Sequence, residues 1–339
     1  MLDRIKSLGR PFLYPPEVAL SEQFAYGHRE IYQRFIGFDP NQIIFAELEH
    51  GWSSDTSWLQ SNSSNRLRNR RLKRYPLLVW SRELARELNY PKHKSVYALA
   101  SPWFLLLSNY ENLKSTGMAP NYFEVPRSVL YFPTHSFPGV EAFLHSKNIE
   151  NIYKSQDFAS ITTSLYWIDF INPTIRELYE PFSRVTCMGI RAPAATEVPW
   201  SNTGGRVNFL YQLHKAISEH QYIICEDFST AAMAALTLGK QVFMTKDKVH
   251  LELIHRSQKN QFLALDVSKI ISKYELNKAE QGLGYNLSDN SGLLELAKRG
   301  FGFDISIEET RMVLERFLGY PSDDFQGKES TELRNTLLW

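Results

Sequence analysis

Short hydrophobic runs alternate with helical patterns along most of the chain, which is typical of α/β proteins with largely parallel strands. In the first half, such runs predict strands over residues 41–49, 95–101 and 128–136. Between the first two, apolar residues recur at helical spacing, and this pattern predicts one helix over residues 76–91.

The second half shows the same alternation with clearer boundaries. Strands are predicted over residues 160–168, 184–190, 221–227, 240–245 and 262–266. Helices are predicted over residues 172–182, 205–220 and 228–239. Gly239 follows the last of these helices, at the point where a residue with left-handed backbone conformation is expected.

The polar segment around residues 145–160 separates the two halves. We therefore expect an N-terminal α/β domain over 1–150, a C-terminal α/β domain over 151–310, and a C-terminal helix and tail over 311–339. Parallel sheets bind ligands outside the carboxyl ends of their strands, so the candidate site residues are sought there.

Composition narrows the class of protein. A net charge of +1 gives no global bias toward nucleic acid, and no nucleic-acid partner is predicted. The two cysteines, Cys187 and Cys225, lie in apolar runs and are predicted to be buried thiols in a reducing compartment. The longest apolar run covers 11 residues, against about 20 for a membrane span, so a cytoplasmic location is predicted.

Residues 65–76 concentrate positive charge, with six Lys and Arg side chains. Two interpretations stay open. The segment fits the anionic surface of the inner face of the membrane, or a lipid-pyrophosphate acceptor, as a peripheral contact. It fits a solvated loop equally well.

Three candidate catalytic residues lie at the ends of predicted strands. His50 precedes Gly51 at the end of the first strand, and a histidine there can take a proton from an acceptor hydroxyl as general base. His135 lies between two prolines and is a candidate to donate to a phosphate oxygen or to bind an acceptor. Asp169 ends the strand over 160–168. For the two histidines, a purely structural hydrogen-bonding role is the alternative.

A phosphate site is predicted where two other strands end. Gly189 permits close backbone approach, and Arg191 offers a planar two-pronged donor for phosphate. The alternative for Arg191 is an ordinary surface position.

The segment "CEDFSTAAMAALTLGKQVFM" places Glu226 and Asp227 at a strand end and Ser229 and Thr230 at a helix start. The first turn of a helix carries unpaired N–H groups and the positive end of the helix dipole, which together favour a phosphate. Capping alone accounts for one of these four polar residues. Since two carboxylates facing a diphosphate would repel it, one of them is expected to accept from a ribose or sugar hydroxyl or to cap the helix.

The stretch from "SLYWIDFINPTIRELYEPFSRVTCMGIR" through "CEDFSTAAMAALTLGKQVFM" resembles the C-terminal half of GT-B glycosyltransferase-like proteins of bacterial capsule and surface-polysaccharide clusters. The "EHG" turn at residues 49–51 and the segment "DFSTAAMAALTLGKQV" are similar to segments of CDP-glycerol glycerophosphotransferases. The resemblance covers roughly residues 43–51 and 128–245.

The resemblance implies two Rossmann-like domains facing each other across a cleft, with the acceptor on the N-terminal and the nucleotide donor on the C-terminal domain. It implies transfer of a sugar from a nucleotide-sugar to a glycan or lipid-linked glycan, as in capsule or lipopolysaccharide synthesis, without metal or cofactor. His50 would match the base-bearing turn, Ser229 and Thr230 the donor phosphate turn, and Arg191 a phosphate or donor contact. A nucleotide-sugar epimerase or hydrolase of GT-B type and a non-catalytic glycan-binding assembly protein are the alternatives.

Overall fold

The chain is described here by a computed structural model. It describes residues 27–39, 42–49, 51, 76–88, 96–117, 119–134, 140–142, 146–155, 157–187, 209–245, 251–253, 271–279 and 283–319.

The described residues form a mixed α/β structure. The strands are β1 (Ile43–Ile44), β2 (Glu47–Leu48), β3 (Leu77–Val79), β4 (Val96–Ala98), β5 (Val125–Phe132), β6 (Val140–Ala142), β7 (Ser160–Leu165), β8 (Arg184–Cys187), β9 (His220–Cys225), β10 (Gln241–Met244), β11 (Leu251–Leu253), β12 (Tyr285–Asn286) and β13 (Leu318–Gly319). The helices are α1 (His28–Tyr32), α2 (Arg82–Leu88), α3 (Pro102–Ser115), α4 (Lys147–Lys154), α5 (Trp167–Phe170), α6 (Pro173–Tyr179), α7 (Phe209–Glu219), α8 (Thr230–Thr237), α9 (Ser291–Gly300) and α10 (Ile307–Glu315). A π-helical turn, Gln33–Gly37, continues α1.

Two compact units share the chain. The first unit comprises residues 1–119, 201–207 and 299–339, and the second comprises residues 120–200 and 208–298. In the first unit, β2, β3 and β4 form a parallel three-stranded sheet, and β1 pairs with β13 in antiparallel fashion.

The single helix predicted over residues 76–91 is wrong in its first half. Leu77–Val79 form the central strand β3 of the sheet, and only Arg82–Leu88 are helical. Leu78 and Val79 are fully buried, so a short apolar run that fits a helix face is used here as a strand covered on both sides. The strand predicted over 41–49 is likewise two short strands, β1 and β2, which belong to different sheets.

The C-terminal segment returns to the first unit and covers the carboxyl ends of β3 and β4. Ser101 donates its backbone N–H to the carbonyl of Phe301 over 3.1 Å, and the Phe301 ring packs near Trp80 and Trp103. At Gly302 (φ +67°), an added Cβ would lie 2.6 Å from the carbonyl oxygen of Trp80. The close approach therefore requires glycine.

The second unit is built on a six-stranded sheet in the order β12-β10-β9-β5-β7-β8. All neighbouring pairs from β10 to β8 are parallel, and β12 adds an antiparallel edge. The chain runs from β5 outward through β7 to β8, then returns to the other side of β5 as β9 and β10. In order of appearance the parallel strands read 3-2-1-4-5, which is the order of a doubly wound sheet.

The strand pairing in this sheet determines where the second unit begins in the chain. β5 is paired with both β7 and β9, and Ile149 and Ile152 of α4 are buried in the same core as Val129 of β5. The predicted domain join near residue 150 therefore lies inside the second unit, because β5 and α4 pack with strands that follow them. The division falls instead between residues 119 and 120.

Element boundaries in the second unit follow local signals. The helix predicted over 228–239 is observed as α8, and Gly239 has φ +68° as expected of its cap. The N–H groups of Gly239 and Lys240 bond to the carbonyls of Leu236 and Ala235, which closes the helix. The predicted strand over 160–168 ends earlier, at Leu165, and is followed by the short helix α5.

Other predicted elements are observed in part. The helices α6 and α7 lie within predicted helical segments, and β8, β9 and β10 match predicted strands. The C-terminal helix is observed as α10, which begins four residues before the predicted start at residue 311. Cys187 and Cys225 are buried free thiols, as predicted, and burial raises the pKa of Cys187 to about 11. The strand predicted over 262–266 lies outside the described residues.

We predict that Gly284→Ala destabilises the protein more than Gly239→Ala. Both glycines have positive φ, which costs an L residue about 1–2 kcal/mol. At Gly284 an added Cβ would also overlap the carbonyl oxygen of Met244 and lie 2.7 Å from Thr245 Cα, whereas nothing lies within 4 Å at Gly239. Overpacking adds about 1–3 kcal/mol. Urea unfolding of the two variants measures the difference, and equal losses of unfolding free energy would contradict the geometry at Gly284.

Candidate functional site

The candidate site lies at the carboxyl edge of the six-stranded sheet. The chain leaves β5 toward β7 on one side and returns to β9 on the other, so the direction of winding reverses between β5 and β9. Doubly wound sheets bind their ligands outside this reversal, because the connections that leave the two strands diverge and open a crevice. Glu226 and Asp227 follow β9 there, and Thr134 follows β5.

The carboxylate of Glu226 is buried at this reversal, and three donors among the described residues bind it. Its Oε1 accepts from the hydroxyl of Tyr131 at 2.5 Å and from the side-chain amide of Asn148 at 2.8 Å. Its Oε2 accepts from the backbone N–H of Thr134 at 3.0 Å. The residue is only 1% exposed. A buried carboxylate needs such partners, because its charge is otherwise expensive to remove from water.

Further hydrogen bonds connect the neighbouring strand ends to one another around this carboxylate. The side-chain amide of Asn148 also approaches Thr245 Oγ1, at 3.4 Å, just after β10. The backbone N–H of Glu226 donates to Phe132, and that of Thr245 donates to Cys225, each over 2.9 Å. The pairing therefore continues past the ends of the strands. Segments after β5, β9 and β10 and the first turn of α4 form one hydrogen-bonded cluster.

Burial and the charges of this cluster raise the pKa of two tyrosines. Burial, together with the nearby Glu226 charge, raises the pKa of Tyr131 well above its usual value. Burial also raises the pKa of Tyr179, and the charges of Glu226 and Asp169 add to it. Both phenols stay protonated, so Tyr131 remains a hydrogen-bond donor to Glu226 at any physiological pH.

Helix α8 begins three residues after Asp227. Ser229 is its N-cap, in extended conformation (φ −102°, ψ 167°), and its Oγ accepts from the N–H of Ala232 at 3.3 Å. Thr230 is the first helical residue, and both hydroxyl residues are half-buried. The first-turn N–H groups of a helix have no acceptor within the helix, and the dipole adds positive potential. Four of the five residues after Ala231 are fully buried, so the sheet holds the helix firmly.

Asp227 and Asp169 flank this start. Asp227 is half-buried, and its charge adds to burial in raising the pKa of the Cys225 thiol. Asp169 is 1% exposed and lies in α5, not at the tip of β7 as predicted, because β7 ends four residues earlier. Its charge contributes to raising the pKa of Tyr179, whose ring lies 6.4 Å from that of Tyr131.

Four predicted site residues lie outside the described residues: His50, His135, Gly189 and Arg191. Their immediate surroundings are described for two of them. Glu49, next to His50, is buried, and its Oε2 accepts from the backbone N–H of Trp80 at 2.6 Å. Thr134, next to His135, is held by Glu226 as described above.

Tyr131 and Asn148 belong to the cluster but were not among the predicted site residues. Tyr131 lies in an apolar strand and Asn148 in a polar helix start, and neither position carries a local motif. Only the alternation of inward and outward positions along β5 points to a buried tyrosine hydroxyl that needs a partner. The partner itself lies 95 residues away in sequence.

Across the described ranges, no three His, Cys, Asp or Glu side chains group as metal ligands would. In the same ranges, no helix combines the length and hydrophobicity of a membrane-spanning segment.

No family model matches the chain, and no curated protein sequence matches it. Among solved structures, the wall teichoic acid polymerase TagF is similar to this chain with a TM-score of 0.36 and 12% identity. The match covers 76% of this chain and 60% of that chain, so this protein spans less than two thirds of the TagF structure. We therefore base functional inference on the geometry of the sheet edge.

We predict that Tyr131→Phe destabilises the protein by about 1.5–3 kcal/mol, the usual contribution of a hydrogen bond to a charged group. Tyr179→Phe is the matched control. Its ring lies 6.4 Å from that of Tyr131 and is equally buried, but its hydroxyl has no hydrogen-bond partner among the described residues. We expect that variant to be neutral or slightly stabilising. Chemical denaturation measures the free energy of unfolding of both variants. Similar losses of this free energy in the two variants would argue against a strong Tyr131–Glu226 hydrogen bond.

Proposed function

We propose that this protein is a GT-B-type glycosyltransferase that takes a sugar from a nucleotide-sugar donor and transfers it to a surface-glycan or lipid-linked glycan acceptor. The observation that carries the proposal is the position of α8. Its first residue, Thr230, lies five residues after the end of β9, at the reversal of the sheet where doubly wound folds bind ligands, and Ser229 is its N-cap. Main-chain N–H groups, hydroxyls and the helix dipole together favour an anionic phosphate.

The hydrogen bonds of the Glu226 carboxylate are consistent with an anion at the start of α8. Its carboxylate is engaged by Tyr131, Thr134 and Asn148 inside the protein. These donors stabilise the Glu226 charge inside the protein, whereas Asp227, the other carboxylate of the pair, is half-buried. We assign Asp227 the role of accepting hydrogen bonds from a ribose or sugar hydroxyl.

The proposed reaction needs no metal ion. The acceptor hydroxyl attacks the anomeric carbon of the donor, its proton passes to a base, and the bond from that carbon to the donor phosphate breaks. The negative charge that develops on the leaving phosphate is stabilised by the α8 amides and by Ser229 and Thr230. We assign the base to His50, a phosphate contact to Arg191 beside Gly189, and supporting roles in the chemistry to His135 and Asp169.

We predict that Ser229→Asp separates phosphate binding from capping. Aspartate is as good an N-cap as serine and favours the helix dipole, so α8 keeps its stability. Its charge repels a phosphate at the same place. The measurement is a thermal-shift screen with UDP, CDP, CMP, GDP and their sugars. The nucleotide that binds should stabilise the wild-type protein by about 2.7 kcal/mol at a hundredfold excess over Kd. Ser229→Asp should lose this response.

Asn172→Asp is the matched control for Ser229→Asp. Asn172 is the exposed N-cap of α6 in the same unit, where its side chain accepts from the N–H of Thr174 at 3.1 Å. The substitution adds the same charge to a helix start away from β9 and should leave the nucleotide response unchanged. A wild-type response that survives in Ser229→Asp would remove α8 as the phosphate site. The absence of any wild-type response would remove the nucleotide-sugar proposal.

We predict that His50→Ala lowers sugar transfer by about 10²–10⁴-fold, the usual contribution of a general base, while nucleotide binding persists. Product analysis with and without a glycan acceptor is the measurement. Donor conversion that proceeds equally well without acceptor would identify an epimerase or hydrolase. Glycan binding without donor binding or turnover would identify a non-catalytic assembly protein. Unchanged transfer in His50→Ala would remove His50 as the base.

A further inference from the structure

We infer that Glu226 is a positioning residue that ties the segment after β5 to the start of α8, and that it does not touch the donor. The inference begins with the three hydrogen bonds of its carboxylate. The partners come from β5 (Tyr131), from the residue two after β5 (Thr134) and from α4 (Asn148). One side chain after β9 thus joins β5 with the residues that follow it to the first turn of α4, and both lie more than 75 residues away in sequence.

The two segments that Glu226 joins carry the candidate site residues. Thr134 directly precedes His135, and its backbone N–H donates to Glu226 Oε2. On the other side, Asp227 directly follows Glu226, and the N–H of Ser229 donates to the carbonyl of Asp227 over 3.1 Å. Ser229 then caps α8. A path of short contacts leads from the residue before His135 to the first turn of α8.

Burial separates the carboxylate from a ligand in the crevice. Its residue is 1% exposed, and donors of the described residues bind both of its oxygens. A carboxylate accepts several hydrogen bonds, whereas the glutamine side chain has one acceptor oxygen and one NH₂ donor group. In Glu226→Gln, an NH₂ group in place of Oε2 would face the Thr134 N–H, which also donates. An NH₂ group in place of Oε1 would require the Asn148 amide to turn and accept. In either arrangement the negative charge that strengthens all three hydrogen bonds is lost, while shape and volume are kept.

Two measurements on the full chain test the inference, and only the second rests on the proposed function. The first is hydrogen exchange of the ligand-free protein. Glu226→Gln should speed exchange of the amides at Thr134 and in the first turn of α8, relative to the remaining amides of the sheet. The second is calorimetric affinity for whichever nucleotide stabilises the wild-type protein. Here Glu226→Gln should bind about tenfold or more weakly, because small misplacements of a binding group are costly.

Thr163→Val is the control for general destabilisation. Thr163 is fully buried in β7, and its hydroxyl shares a 2.6 Å hydrogen bond with Ser183. We expect that variant to lose stability but to keep nucleotide affinity and local exchange at Thr134 and α8. If Glu226→Gln does not fold, Asn148→Ala replaces it. This milder change removes the link to α4 and Thr245 and should also speed exchange at α8.

The outcomes separate the inference from the function. Exchange in Glu226→Gln that rises only as it does in Thr163→Val would overturn the positioning role. Unchanged affinity beside a responsive wild-type protein would do the same. If the wild-type protein binds no nucleotide, the proposed function fails, and the exchange measurement still decides whether Glu226 couples the two segments.

Discussion

A carboxylate that is buried at the reversal of a parallel sheet must be paired, and at Glu226 the pairing organises the surrounding chain. Taking an ionised carboxylate out of water costs several kcal/mol unless hydrogen bonds replace its hydration. The replacements here come from Tyr131, Thr134 and Asn148. Because these donors lie on different segments, the carboxyl edge cannot form in part without leaving a buried charge or a buried donor unsatisfied.

This constraint acts where the fold also offers its anion site. Ser229 follows Glu226 by three residues and caps α8, in which residues 232–236 are buried. A helix held in this way presents its first-turn amides in a fixed direction. The buried network and the proposed phosphate site are therefore consecutive parts of one chain segment, and each limits the movement of the other.

Much of the second unit could be predicted because its signals are local. The small-residue helix α8, the cap at Gly239 and the apolar strands β9 and β10 each carry their own pattern over fewer than ten residues. The elements of the first unit were harder to predict from the sequence. Leu77–Val79 fit a helix face and a buried strand equally well, and three residues are too few for periodicity to separate the two. Pairing with β2 and β4 made them a strand.

The amino-acid sequence by itself determined that acids and hydroxyls gather between an apolar strand and a helix, since that depends only on neighbouring residues. It left Glu226 and Asp227 equivalent, because adjacent carboxylates of the same charge have the same local signals. The tertiary structure decided between them. Only folding brings the hydroxyl of Tyr131, the amide of Asn148 and the N–H of Thr134 together at the carboxyl end of β9. There a single carboxylate can accept hydrogen bonds from all three.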